Sequence, residues 1–232
     1  MARNPRTKIR AIVFDLDDTL FPERDYVRSG YRAVADHLYR MLGSDEQFEN
    51  WLWQRFLAGH GDRAFDALNE HFELHLEDEQ VRELVAIYRS HRPDITAYDG
   101  AAEMLSRFRP AYRLGLLSDG YLPAQRLKLN ALGLERFFNA VVFTEELGRD
   151  AWKPSDAGFE LIGEQLDMPH DQCAYVADNP AKDFLAPNKL GWRTVQFLRP
   201  GQIHAHKPAP EGGRPQHVVY LFGDIHKVLS RL

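Results

Sequence analysis

Three carboxylates crowd into four residues at Asp15, Asp17 and Asp18, directly after the apolar run Ala11-Ile-Val-Phe14. Carboxylates this close repel one another, which pushes their pKa values up unless a cation compensates. An all-oxygen cluster suits a hard ion, and Mg²⁺ commonly binds through one or two carboxylates, retained waters and a substrate phosphate. Asp178 and Asp183 follow a second apolar run, Cys173 to Ala177, and offer further carboxylates, while Lys153 adds a positive charge. Ser118, with the main-chain N–H groups of Asp119 and Gly120 behind it, offers phosphate oxygens a hydroxyl and a small nest. Phosphoryl transfer asks for such a set: neutralised charge and fixed positions around the transferring group. A carboxylate can also be the nucleophile, with a second carboxyl first protonating the leaving oxygen and later activating water.

Periodicity shows which elements would carry these residues. The stretches 11–14, 112–117, 140–143, 173–177 and 194–197 read as strands, and helical patterns near 99–108, 123–132, 156–166 and 181–190 lie between them. Strands alternating with helices imply a parallel, three-layer α/β sheet with right-handed crossovers. Residues 199–216 read as a Pro- and Gly-rich loop before a last strand near 217–219 and a final helix. Between about 21 and 96 the pattern is helical throughout. Val27, Tyr31, Val34, Leu38 and Leu42 recur at helix spacing up to Gly43, with Ser44 and Asp45 offered as caps for the next segment. Asp62 is expected to cap a helix bearing Phe65, Leu68 and Phe72, and Val81, Leu84, Val85 and Tyr88 make another stripe. The expected division is a core of 1–20 and 97–232 with an insertion of 21–96. In open α/β sheets ligands sit beyond the carboxyl ends of the strands, and every candidate named above falls at such an end.

Composition narrows the class. The chain has 232 residues, 29 Lys and Arg against 34 Asp and Glu, and a formal charge of −5, which advertises no nucleic-acid partner. Hydrophobic residues are 44% and charged ones 27%, an ordinary globular usage. One cysteine, Cys173, excludes a disulfide framework and reads as inert in a buried strand. The basic N-terminus is followed by only four apolar residues, too few for an export signal, and no apolar run reaches the roughly 18 to 20 residues a bilayer requires. The expectation is a cytoplasmic protein with no membrane partner and with its oligomeric state open. No GxxxxGK[ST] or GxGxxG occurs.

The ordered set Asp15-x-Asp17-x-Thr19, Ser118, Lys153-Pro154 and Asp178 to Asp183 resembles the haloacid dehalogenase-like hydrolase superfamily, across the whole chain. The resemblance implies a Rossmann-like core with an inserted α-helical cap domain that closes over the site and selects the substrate. It implies Asp15 as nucleophile and Mg²⁺ ligand, and Asp17 as general acid and base whose carbonyl also meets the metal. Thr19 would steady the loop, Ser118, Asp119 and Lys153 would hold the phosphoryl group, Asp178 would ligate Mg²⁺, and Asp183 would act behind it. Ala177-Asp178 departs from the Gly-Asp of many members but keeps the carboxylate. Asp17 favours phosphate-ester hydrolysis over carbon–halogen cleavage, because the dehalogenase branch lacks an Asp at that place.

The reading is therefore a Mg²⁺-dependent phosphatase acting on a small phosphorylated metabolite through an aspartyl-phosphate. Its rivals are a phosphosugar mutase on the same scaffold and an aspartyl-phosphate switch module without turnover. Phe48, Trp51, Trp53, Phe56, Phe65 and Phe72 read as packing rather than as an aromatic cage. His204 and His206 read as loop residues, and Arg24 and Arg28, just past the first motif, are candidates for touching the leaving group that read more readily as surface charges.

Overall fold

The computed structural model describes residues 8–43 and 46–230. Two compact units emerge: Met1–Glu23 with Thr96–Leu232, and Arg24–Ile95. Ser44 and Asp45, the expected caps, lie outside the described residues.

The first unit is built on six parallel strands: β1 (Ala11–Phe14), β2 (Arg113–Ser118), β3 (Ala140–Phe143), β4 (Cys173–Ala177), β5 (Arg193–Phe197) and β6 (His217–Val219). Their order is β3-β2-β1-β4-β5-β6. The chain starts in the middle and winds outward on both sides, so β1 is the switch point, flanked by β2 and β4. All four residues of β1 are fully buried, as a strand covered on both faces requires. Val13, Leu117, Tyr175, Phe159, Ile162 and Trp192 pack on one side of the sheet. The crossovers are α5 (Ala101–Phe108), α6 (Leu122–Leu132), α7 (Ala157–Gln165) and α8 (Leu185–Leu190), and α9 (Phe222–Ser230) follows β6.

Strand bounds agree with the periodicity to within about a residue, but α8 begins four residues later than the pattern suggests. The reason is local: the Asn179 side chain accepts from Ala181 N at 3.1 Å and Asp183 accepts from Asn179 N at 3.0 Å, which turns the chain before a helix can start.

The second unit consists of α1 (Glu23–Leu42, which starts in the first unit), α2 (Phe48–Leu57), α3 (Ala64–His71) and α4 (Asp78–Ser90). Val34, Leu38, Phe48, Leu52, Leu68 and Leu84 form its buried core. Trp51, Trp53, Phe56 and Phe72 pack against that core, as their spacing predicts. Asp62 does not cap α3: Arg63 takes that position at φ 45° with no side-chain cap, and the Asp62 carbonyl instead accepts from Arg55. Phe72 lies one residue past α3, where its ring meets Phe48 edge-on at 4.9 Å. Gly30 sits mid-helix because a Cβ there would fall 2.5 Å from the Tyr88 ring.

Candidate active site

Parallel pairing sets the carboxyl ends of β1, β2 and β4 side by side, which places Asp15, Ser118 and Asp178 on one edge of the sheet. Lys153 reaches the same edge from the segment after β3. Its Nζ lies 2.5 Å from Asp15 Oδ1 and 2.8 Å from Asp183 Oδ1, and donates to the Tyr175 hydroxyl at 2.8 Å. The ammonium is almost wholly buried, and Asp15, Asp183 and Tyr175 outweigh that burial and hold its pKa well above the ordinary value. Burial pushes Asp15 the other way. Desolvation and the nearby Asp183 outweigh Lys153 and raise its carboxyl to about 7.

Asp178 is buried, and burial together with Asp183, Asp15, Asp18 and Glu23 pushes its carboxyl well above the usual range. Its Oδ2 has no hydrogen-bond partner among the described residues. A buried carboxylate oxygen without a donor, beside other carboxylates, marks a place short of positive charge. A hard cation bound by Asp15, Asp178 and the Asp17 carbonyl fits that shortage. Among the described residues no three His, Cys, Asp or Glu side chains converge as a metal cage. Ser118 Oγ and Thr19 Oγ1 are buried and likewise without partners among the described residues.

The three aspartates of the first loop separate into three roles. Asp15 faces Lys153. Asp17 is held at Oδ1 by Lys128 Nζ at 2.6 Å and at Oδ2 by Gln125 Nε2 at 2.8 Å. Asp18, at φ 52°, accepts from Glu23 N at 2.8 Å and Ile203 N at 2.6 Å, while its carbonyl accepts from Gln202 Nε2 at 2.6 Å. The repulsion expected of the trio is thus met at Asp18 by backbone donors, and its carboxylate ties the loop after β5 to the loop after β1.

The Asp119 side chain is taken up by protein donors. It accepts from Thr144 Oγ1 at 2.8 Å and Lys153 N at 3.2 Å, and pairs with Lys182 at 2.9 Å. Burial pushes this carboxyl up, but Lys153 and Lys182 win and hold it below the usual range. Only its main-chain N–H is left for the phosphate-binding part expected of it. His204 lies 3.6 Å from Glu23, and burial with Lys207 lowers its imidazole to about 4, so it stays neutral at physiological pH. Burial and Asp17 lift Glu23 to about 8. Arg28 is exposed, over Trp53 at 5.3 Å and 3.5 Å from Glu49. Cys173 is buried, its thiol pushed up to about 12 by burial.

Sequence reasoning missed Gln125, Lys128, Thr144, Tyr175, Lys182 and Glu23. The signal for the first two was weak but present: a Gln and a Lys three apart on one helix face, in a helix that must pack on the sheet.

A family model of haloacid dehalogenase-like hydrolases matches residues 9–191. The chain is 28% identical over 200 residues to the glyceraldehyde 3-phosphate phosphatase of Methanopyrus kandleri, covering 82% of this chain and 84% of that one. It is 26% identical over 235 residues to the pyrimidine 5'-nucleotidase YjjG of Escherichia coli, covering 95% and 97%. A crystal structure of a predicted phosphoglycolate phosphatase from Haemophilus somnus superposes with a TM-score of 0.69 at 20% identity, covering 95% and 97%. Among the described residues no helix is long and apolar enough to cross a membrane. With its six-stranded parallel sheet and its motif residues at the carboxyl ends of β1, β2 and β4, the chain belongs to the haloacid dehalogenase-like hydrolases.

Proposed function

We propose that this hydrolase is a Mg²⁺-dependent phosphatase acting on a small phosphomonoester through an aspartyl-phosphate at Asp15. The observation that carries the reading is the grouping of a Lys153-paired Asp15 with an Asp178 oxygen and a Ser118 hydroxyl that have no hydrogen-bond partner among the described residues. An Asp15 oxygen attacks phosphorus, and the bond to the leaving oxygen breaks as that oxygen takes a proton from Asp17. A water that gives its proton to Asp17 then attacks the phosphoryl group and frees Asp15. Lys153, Ser118 Oγ and the Asp119 N–H bind the phosphoryl oxygens. Mg²⁺, when bound by Asp15, Asp178 and the Asp17 carbonyl, supplies charge neutralisation at the phosphoryl group. Asp183 keeps Lys153 in place, and Thr19 steadies the loop.

The unit Arg24–Ile95 is assigned as the cap domain the resemblance implies, and the single, buried cysteine supports a cytoplasmic place of work. The phosphatase names of the curated relatives support the same reaction class.

The test is phosphate release from a panel of phosphorylated metabolites and p-nitrophenyl phosphate, with Mg²⁺ and with EDTA, for wild type and Asp15→Asn. Metal-dependent release is expected from wild type alone, and the variant should lose a factor on the order of 10⁵ to 10⁶, as loss of a nucleophile does. Undiminished release by Asp15→Asn would remove the aspartyl-phosphate. Return of the group to sugar instead of water would favour a mutase.

A further inference from the structure

We infer that Gln125 and Lys128 of α6 are positioning residues for Asp17, fixing the plane of the carboxyl that handles the proton; the inference rests on the phosphatase reading above. The two residues stand three apart, so they share one helix face, and both are buried. Lysine is almost never buried unless paired, and this one meets Asp17 Oδ1 at 2.6 Å. Gln125 Nε2 meets the other oxygen at 2.8 Å. One donor on each oxygen, both from a single helix, leaves the carboxyl plane no free rotation, while each oxygen keeps a lone pair for the reaction.

The Gln125 amide can stand in only one orientation. Its Nε2 also donates to the Asp119 carbonyl, so a flipped amide would set its oxygen against two acceptors. The main chain makes room for this amide: φ at residue 120 is +135°, a conformation that favours glycine, and a Cβ there would fall 2.5 Å from Gln125 Nε2 and displace the amide. Through Gln125 the phosphate-binding segment after β2 and the acid–base residue after β1 are held in one register. A misplacement of about 1 Å in a reacting group can cost about 10²-fold in rate, so the orientation matters to the chemistry and not only to packing.

The experiment is a kinetic double-mutant cycle on Mg²⁺-loaded, full-length protein with p-nitrophenyl phosphate and phenyl phosphate as substrates. Lys128→Met should lower kcat about 10- to 100-fold with KM within about threefold, a fraction of the 10²- to 10⁴-fold that acid–base catalysis supplies. Lys128→Arg should recover most of the loss. In the Asp17→Asn background, Lys128→Met should change kcat by less than about twofold, because the group it positions no longer transfers a proton. Gln125→Ala repeats the cycle where Lys128→Met does not fold. An equal factor in both backgrounds, or wild-type kcat in the folded variants, overturns the inference and leaves the phosphatase reading standing. A wild type that releases no phosphate with Mg²⁺ overturns both.

Discussion

The strand-end cluster around Asp15 and the core of Arg24–Ile95 are both buried, but opposite physics holds them. In the helical unit Val34, Leu38, Phe48, Leu52 and Leu68 leave water at no electrostatic cost, and each contributes by the area it hides and the space it fills. At the strand ends Asp15, Asp183 and Lys153 leave water at a large cost that their mutual pairing offsets, and Asp178 beside them has no such pairing among the described residues. The first arrangement tolerates a swap of like volume. The second does not tolerate the loss of Lys153, because Asp15 and Asp183 would then remain as uncompensated charge. A fold that keeps such a cluster does so for what the charges can do, which is why the cluster and not the aromatic core carries the functional reading.

Lys153→Met tests that contrast most severely. It leaves Asp15 and Asp183 facing each other without their shared cation, and breaking a buried pair in this way costs about 3–5 kcal/mol. Urea unfolding of metal-free protein at pH 7.5 should show the loss, and adding Asp15→Asn to the same chain should recover part of it. A Lys153→Met variant as stable as wild type would mean that the pairing contributes nothing to the fold.

In the helical unit Leu38→Ala should cost about 2–5 kcal/mol through lost burial and the cavity left behind. No charge is involved, so the drop should be the same at pH 6 and pH 8. A pH-dependent cost would show that the two regions are not as different as their contacts imply.

The same contrast explains how much could be read from the chain alone. Strand runs such as Ala11–Phe14 and Cys173–Ala177 are legible because burial on both faces demands uninterrupted apolar residues. Asp15, Ser118, Lys153 and Asp178 are legible because their types and order match a chemistry. Gln125 and Lys128 are only faintly so and Lys182 is not, since a helix or loop residue of ordinary type gains its role only when tertiary packing brings it to Asp17 or Asp119. The split of Asp15, Asp17 and Asp18 was equally hidden, because which donor meets which carboxylate is a three-dimensional fact. Asp62 failed as a cap for the related reason that its carbonyl, not its side chain, was recruited, by Arg55.

The smallest expected effect concerns Glu23, at the margin of the cluster. Burial and Asp17 raise its carboxyl from 4.5 to about 8 in the folded chain. Below about pH 4.5 folded and unfolded chains both hold the proton and Glu23 costs nothing. As pH rises from there the unfolded chain releases it while the folded chain keeps it, so stability falls until the folded group also ionises near pH 8. Glu23→Gln removes this dependence. The variant should match wild type near pH 4.5 and exceed it by about 2–4 °C in Tm at pH 8, a gain of roughly 1 kcal/mol once the quarter of the side chain in water is discounted. Thermal unfolding of both proteins across that range decides the matter: parallel curves would mean that Glu23 sits in water as comfortably as any surface carboxylate, and that the charged region ends at Asp17.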